Sequence, residues 1–213
     1  METRKEQKER RRWQILKAGL DLFVRRGYAE TTISQIAEAS AMSTGLMFHY
    51  FPSKEDLYLA LVSIGVEGTQ APQAMGAPGP VEYFEGFLSQ LISLTEAEPW
   101  VPQLFALMGR ARREGAPEAV RELALSIDQV QRSAEVIRQG QQEGLFRPGD
   151  PLRLSQAFWA SVQGVMEQWA SDPGMAAPDP AWLMGILLPP SPLDEPSAQA
   201  AAMRIGNERK ARL

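Results

Sequence analysis

The sequence predicts an all-α protein: an N-terminal three-helix domain with a helix-turn-helix, plus a larger C-terminal helical bundle domain that dimerises. Three observations predict it. Apolar residues recur every three or four positions along most of the chain, and strand-like alternation is nearly absent. Asp-Pro pairs and single prolines open one helical stretch after another. A hydrophobic content of 44% over 213 residues supports a packed core and allows one domain or two small ones.

The first helix spans about Arg4 to Arg26, with Ile15, Gly19, Leu22 and Phe23 on one face and Leu16 and Leu20 beside it. Gly27, after Arg25 and Arg26, stops it. Thr32 and Gln35 form a capping box for a short helix to about Ala39 that buries Ile33, Ile36 and Ala37. Ser40-Ala41-Met42 makes a tight turn. Ser43 or Thr44 caps a third helix, Gly45 to Phe51, which Pro52 ends. Ser53, with Asp56 three residues on, caps a fourth. Residues 70–80 carry three Pro and two Gly and read as a loop or hinge. Pro80 then opens a helix to Ala97, and Pro99 and Pro102 open one reaching Arg113. Pro117 and Glu118 open a long helix to about Glu143, along which Val120, Leu123, Ile127, Val130, Ala134 and Ile137 form a seam. Asp150-Pro151 opens a helix to about Ser171, and Asp179-Pro180 one through Leu188. The expected division is 1–54 for the helix-turn-helix domain, 55–190 for a ligand-binding and dimerisation domain, and 191–213 for a Pro/Ala-rich tail, helical in part or disordered.

Charge separates the two parts. Residues 1–54 hold ten Lys or Arg and six Asp or Glu, a net of +4, while the remainder carries −8. A basic head on an acidic body suits a head that meets a polyanion; a solvated, charged first helix is the plainer alternative. The chain has no Cys and a single His, His49. Thiolate chemistry, disulfides and multi-histidine metal sites are therefore excluded, and neither an enzyme nor a cofactor is expected. The first thirty residues have no apolar core of a secretory signal, and no apolar run is long enough to span a bilayer. A cytoplasmic protein without membrane partners is expected.

Residues 31–57, TTISQIAEASAMSTGLMFHYFPSKEDL, carry the functional signal. A short capped helix, a tight turn and a second short helix can brace on a DNA backbone and enter a major groove. Ser43, Thr44, Gly45 and Leu46 would face base edges, and Gly45 would let the backbone come close. Phe48, His49, Tyr50 and Lys54 would lie along phosphates, with Thr32 and Ser34 beside them. Phe48 has a second reading as a core ring, and Lys54 as a solvated helix start.

This stretch resembles the DNA-binding domain of the TetR/AcrR family of transcriptional regulators. Thr31, Thr32, Ile36, Ala37, Ser43, Gly45, Tyr50, Phe51, Ser53, Lys54, Glu55 and Leu57 match the family pattern, and Met47 and Phe48 match in character. The resemblance covers about residues 10–62. At the turn the family's Ala-Gly-Val is replaced by Ser40-Ala41-Met42, and at Phe48 its Tyr keeps the ring and loses the hydroxyl. The resemblance implies a homodimer on a palindromic double-stranded DNA operator, usually a repressor, released by a small-molecule effector bound in the body. The alternative is a DNA-binding regulator without an effector, constitutive or controlled by a protein partner.

In the body, Phe84, Phe87, Leu88, Leu91, Trp100, Leu104, Phe105, Met108, Phe158, Val162 and Met166 are candidates to line a pocket, with Gln131 as a polar contact. Gln103, Gln163 and Glu167 are further polar candidates. A filled core is the alternative for each apolar residue. Ala157, Ser161 and Gly164 form a small-residue face that admits a close helix; with Gln168, Trp182, Ile186 and Leu187 they form the candidate dimer interface.

Overall fold

The computed structural model describes residues 3–74, 79–126 and 128–189, with only the backbone described over 69–74. Among these residues are ten α-helices and no strand. The tail from 191 lies outside the described residues.

α1 (Arg4–Arg26) starts on a capping box in which Thr3 and Glu6 each satisfy the other's backbone N–H. It ends at Gly27, whose φ of 87° is a left-handed value. α2 (Ile33–Ala39) starts on the expected Thr32–Gln35 box, and α3 (Thr44–Tyr50) on Ser43. The turn between them is closed by two backbone bonds, Met42 N–H to the Ala37 carbonyl at 2.8 Å and Ala41 N–H to the Glu38 carbonyl at 3.0 Å. That is the Schellman pattern, formed here with Ala41 at φ 54° where glycine is usual. The loss of the turn glycine leaves the turn geometry intact.

α4 (Lys54–Ala74) starts with Ser53 Oγ accepting the Asp56 N–H at 3.0 Å. It runs through Pro72, so the expected loop over 70–80 starts later than the composition suggested. One missing N–H removes one ladder bond and does not by itself end a helix. α5 (Pro80–Ala97), α6 (Trp100–Ala111) and α9 (Pro151–Ser171) lie close to their expected ranges.

Two expected helices differ. The long helix over 118–143 is two, α7 (Glu118–Leu125) and α8 (Gln129–Gln142). Ser126 Oγ donates back to the Leu123 carbonyl at 2.7 Å, and Asp128 Oδ1 accepts the Gln131 N–H at 2.9 Å. These side-chain bonds end one helix and cap the next. The seam from Val120 to Ile137 is divided with it, and Ile127 lies outside the described residues. The last helix, α10 (Pro180–Met184), stops four residues before Leu188. Arg147 takes the carbonyls of the chain beyond it: Gly185 through Nη2, Leu188 through Nε and Leu187 through its backbone N–H.

The core forms two apolar clusters. The first joins α1–α4 to α6 and α7 through Ile15, Leu16, Phe23, Leu57, Leu61, Leu107 and Val120. The expected boundary at residue 54 falls inside it. Gly19 makes the α1–α4 crossing tight, since a Cβ there would lie 2.7 Å from Leu57 Cδ2. The second joins α5, α8, α9 and α10 through Phe84, Leu88, Ile137, Phe158, Val162 and Met166. α6 packs against α1 on one side and α9 on the other.

Candidate nucleic-acid interface and body cavity

α3 divides sharply into two faces. Met47 is fully buried and pins the helix to the head. Thr44, Gly45 and His49 are exposed, and Leu46 and Tyr50 are half-buried. Phe48 is 49% exposed, which settles its two readings: it is a surface ring, not a core one. His49 and Tyr50 meet edge to face at 5.8 Å between ring centroids. A Cβ on Gly45 would meet nothing within 4 Å, so this side of α3 stands clear of the rest of the chain. Ser43 and Thr32 spend their hydroxyl lone pairs on the N–H groups of Leu46 and Gln35. Each keeps its own O–H to donate. Ser34 is exposed one residue into α2.

Lys54 departs from the expected role of a free phosphate-facing cation. Its Nζ donates to the carbonyls of Tyr28 at 2.7 Å and Thr31 at 2.8 Å, and lies 4.1 Å from the Tyr28 ring centroid. Burial pushes the ammonium below its usual pKa, against the pull of Glu30. Two of its three N–H groups are committed to tying the start of α4 to the α1–α2 turn. Thr31, fully buried, closes the same turn through the Gly27 carbonyl at 2.7 Å.

The first turns of α1 add a feature that residue-level reading of the motif missed. From Arg4 to Arg10 every residue is exposed, so this stretch projects beyond the core with Lys5 and Lys8 on its surface. The charge asymmetry was its signal. Arg12 is held back, its guanidinium 5.3 Å from the Phe51 ring centroid.

The body holds a cavity of about 480 Å³ between α4, α5, α6, α8 and α9. Of the expected residues, Phe87, Leu91, Trp100, Leu104, Phe105 and Met108 line it, with the polar candidate Gln163. Phe84, Leu88, Phe158, Val162 and Met166 do not: they are filled core, all at most 2% exposed. Gln131 is a correction as well, being exposed, with its N–H given to the α8 cap. Sequence reading missed Gln129 and Trp159. Gln129 was hidden because it starts a helix that was read as continuous. Its Nε2 donates to Tyr83 Oη at 2.9 Å and to Ser133 Oγ at 3.5 Å, and Trp159 Nε1 donates to Ser133 Oγ at 2.9 Å.

The cavity and the head share α6. Trp100 lines the cavity and its ring lies 5.4 Å from that of Trp13 in α1. Farther along, Gln103 Nε2 donates to Asp21 at 3.3 Å and Arg110 Nη1 to the Phe23 carbonyl at 3.0 Å.

The candidate dimer face is open. Ala157, Gly164 and Gln168 are exposed, Ser161 and Ile186 are half-buried, and Trp182 is 74% exposed. Leu187 is not on this face: it is fully buried, because the turn after α10 folds it inward. Among the described residues, no helix is long and apolar enough to cross a membrane.

Residues 15–61 match the family model described as bacterial regulatory proteins, tetR family. The HTH-type transcriptional regulator RutR of Escherichia coli (strain K12) is 29% identical over 152 residues, 70% of each chain. The crystal structure of the MbdR regulator from Azoarcus sp. CIB superposes with a TM-score of 0.70 at 25% identity, over 83% of this chain and 96% of that one. AibR, solved with isovaleryl coenzyme A and operator DNA, superposes with a TM-score of 0.65 at 23% identity, over 85% and 100%. With the capped helix-turn-helix, the exposed α3 face and the all-helical body on the same chain, these matches make residues 15–61 a tetR-family regulatory domain and support a TetR-family DNA-binding transcriptional regulator.

Proposed function

We propose that the protein is a homodimeric repressor that holds a palindromic operator and releases it when an effector fills the body cavity. One observation carries this reading: α6 lines the cavity with one face and grips α1 with the other. An occupant that moves α6 must move Trp13, Asp21 and Phe23 with it, and so tilt the head. Such an effector acts by binding one head spacing better than the other.

Each α3 would enter a major groove, with Ser43, Thr44, Gly45 and Leu46 toward the bases and Phe48, His49, Tyr50, Thr32 and Ser34 toward the backbone. Lys5 and Lys8 would neutralise phosphates, while Lys54 holds the turn in place. The small-residue face of α9, with Trp182 and Ile186, would meet its copy across a two-fold axis, setting half-sites roughly 34 Å apart. AibR's co-structure with a small molecule and operator DNA supports the effector reading for this fold. A DNA-bound regulator of this kind works in the cytoplasm.

The test is DNA capture followed by titration. Genomic fragments retained by the full chain should contain an inverted repeat. Log affinity should fall with log salt at about −0.9 per neutralised phosphate. Gly45→Ala should leave the fold intact, since its Cβ meets nothing, and weaken operator binding by crowding the groove. Unchanged binding for that variant would remove α3 from the interface. If no small molecule ever releases the captured DNA, the effector falls and a constitutive or partner-controlled regulator remains.

A further inference from the structure

We infer that α3 reads its half-site through the C5-methyl group of a thymine, packed against Leu46 and the methyl group of Thr44, in place of bidentate hydrogen bonds to guanine or adenine. The inference rests on the docking proposed for α3 and adds what that helix recognises.

The first observation is which side chains the recognition segment lacks. In the major groove guanine is read most often by Arg or Lys, adenine by Asn or Gln, and cytosine by Asp or Glu. From Ser43 to Tyr50 the chain has none of the six. No Lys or Arg occurs anywhere between Arg26 and Lys54, and Lys54 is held by the carbonyls of Tyr28 and Thr31. On α2, Gln35 has its Oε1 tied to the Thr32 N–H at 2.9 Å. What α3 offers instead is single polar groups, the hydroxyls of Ser43 and Thr44 and the ring of His49. A hydroxyl can donate to an acceptor on more than one base, so it discriminates weakly.

The second observation is an apolar side chain that the fold does not use. Leu46 is half-buried, yet among the described residues it belongs to neither apolar cluster and packs against neither. Its neighbours differ: Met47 is fully buried, and Met42 and Tyr50 pack against the core of the head. Thr44 is exposed, and between the two Gly45 leaves open space where a Cβ would stand. The backbone can therefore come close to the base edges and bring both flanking side chains with it. The one apolar group that bases present in the major groove is the thymine methyl. Packing it against Leu46 removes apolar surface of both from water. A cytosine in its place has no methyl and brings an N4 donor that leucine leaves unpaired.

Deoxyuridine in place of thymine deletes the methyl group and keeps the base pair. Each thymine of the captured inverted repeat is replaced in turn, in both half-sites together, and the full chain is titrated by fluorescence anisotropy. One position should weaken binding about fifteenfold, about fourfold from each half-site, the scale of one buried methyl group. The double variant Thr44→Ser, Leu46→Ala keeps the hydroxyl and loses both apolar groups, so it should bind thymine and deoxyuridine operators alike. Phe48→Ala, on the backbone side, should weaken both duplexes equally and keep the penalty. Replacing each guanine by 7-deazaguanine, which deletes the N7 acceptor, should cost less than the deoxyuridine change. Indifference of the unmodified protein to every thymine methyl overturns the inference, whether or not the variants fold. A penalty that survives the double variant, or that Phe48→Ala abolishes, removes Leu46 and Thr44 as the readers. A larger cost from 7-deazaguanine overturns the preference for methyl over guanine contacts. The docking itself fails in a different way: the chain would hold operator and scrambled duplex equally, with or without thymine methyls.

Discussion

The head built by α1–α4 and the body built by α5–α10 use their interiors in opposite ways. Around Ile15, Leu16, Leu20 and Phe23 the head is packed shut, and the DNA contact proposed for it lies on its outside, along α3 and the first turns of α1. The body leaves about 480 Å³ open at its border with the head and keeps a polar network in the wall. A surface that must fit a groove gains from a rigid support behind it. A device that must change state gains from interior space that an occupant can fill.

The largest expected effect tests that contrast directly. Phe23 is 1% exposed and packs against Tyr28 and Tyr58 at 5.7 and 5.1 Å. Phe23→Ala should cost about 3–5 kcal/mol, because the cavity it leaves has no way to collapse. Phe105 is half-buried on a space that already exists, so Phe105→Ala should cost only about 1–2 kcal/mol. Urea unfolding of both variants measures the difference, and equal losses would break the comparison.

The outer faces of the two regions are the next test. Gly164→Glu adds a side chain where a Cβ meets nothing within 4 Å, so the protomer should fold unchanged. Across a two-fold axis it would bring two carboxylates into a closing face, at a cost of about 3 kcal/mol or more in association. Sedimentation should then show monomers; a persisting dimer moves the interface off α9.

Legibility in the sequence follows the same division. In the head the signals are local: Thr32 caps through Gln35 three residues away, and Gly27 follows the last basic turn, so helix ends lie close to where the sequence places them. In the body the decisive signals are weaker. Asp128 caps α8 without a following proline, so α7 and α8 read as one helix, and Gln129 disappeared into its middle. Phe84 and Phe87 stand one turn apart on α5, yet one is core and the other cavity wall. Periodicity identifies a buried face; it does not say whether the space opposite is filled. Lys54 shows the converse limit, because its partners are carbonyls 23 and 26 residues away and no side-chain pattern announces them.

A smaller effect belongs to the head alone. Burial pushes the Tyr58 hydroxyl up to about 12, with Arg110 opposing and Tyr28 adding. The unfolded chain loses this proton near pH 10 and the folded chain only near 12, so the stabilisation is complete below pH 10 and is lost as pH rises from 10 to 12. Two pKa units correspond to roughly 2–3 kcal/mol. Tyr58→Phe should flatten this alkaline loss. Amide exchange at pH 10–12 should show α1 and α4 opening first; a body that opens before the head would contradict it.

The smallest effect concerns backbone strain. The body places glycine at its described left-handed positions, Gly115, Gly144 and Gly149, whereas the helix-turn-helix places Ala41 there at φ 54°. A left-handed conformation costs an L-residue roughly 1–2 kcal/mol. Ala41→Gly removes that strain, offset in part by the greater freedom glycine gives the unfolded chain, roughly 0.5–1 kcal/mol. The Ala41 side chain is exposed, so little packing is lost with its methyl group. The net expectation is a gain of about 0.5–1 kcal/mol in the denaturation midpoint. Operator affinity should stay the same, because both backbone bonds of the turn are already made at 2.8 and 3.0 Å and glycine has nothing further to close. A stabilised variant with weaker DNA binding would mean that the turn must move when α3 enters the groove, and that the head is less rigid than its packing implies.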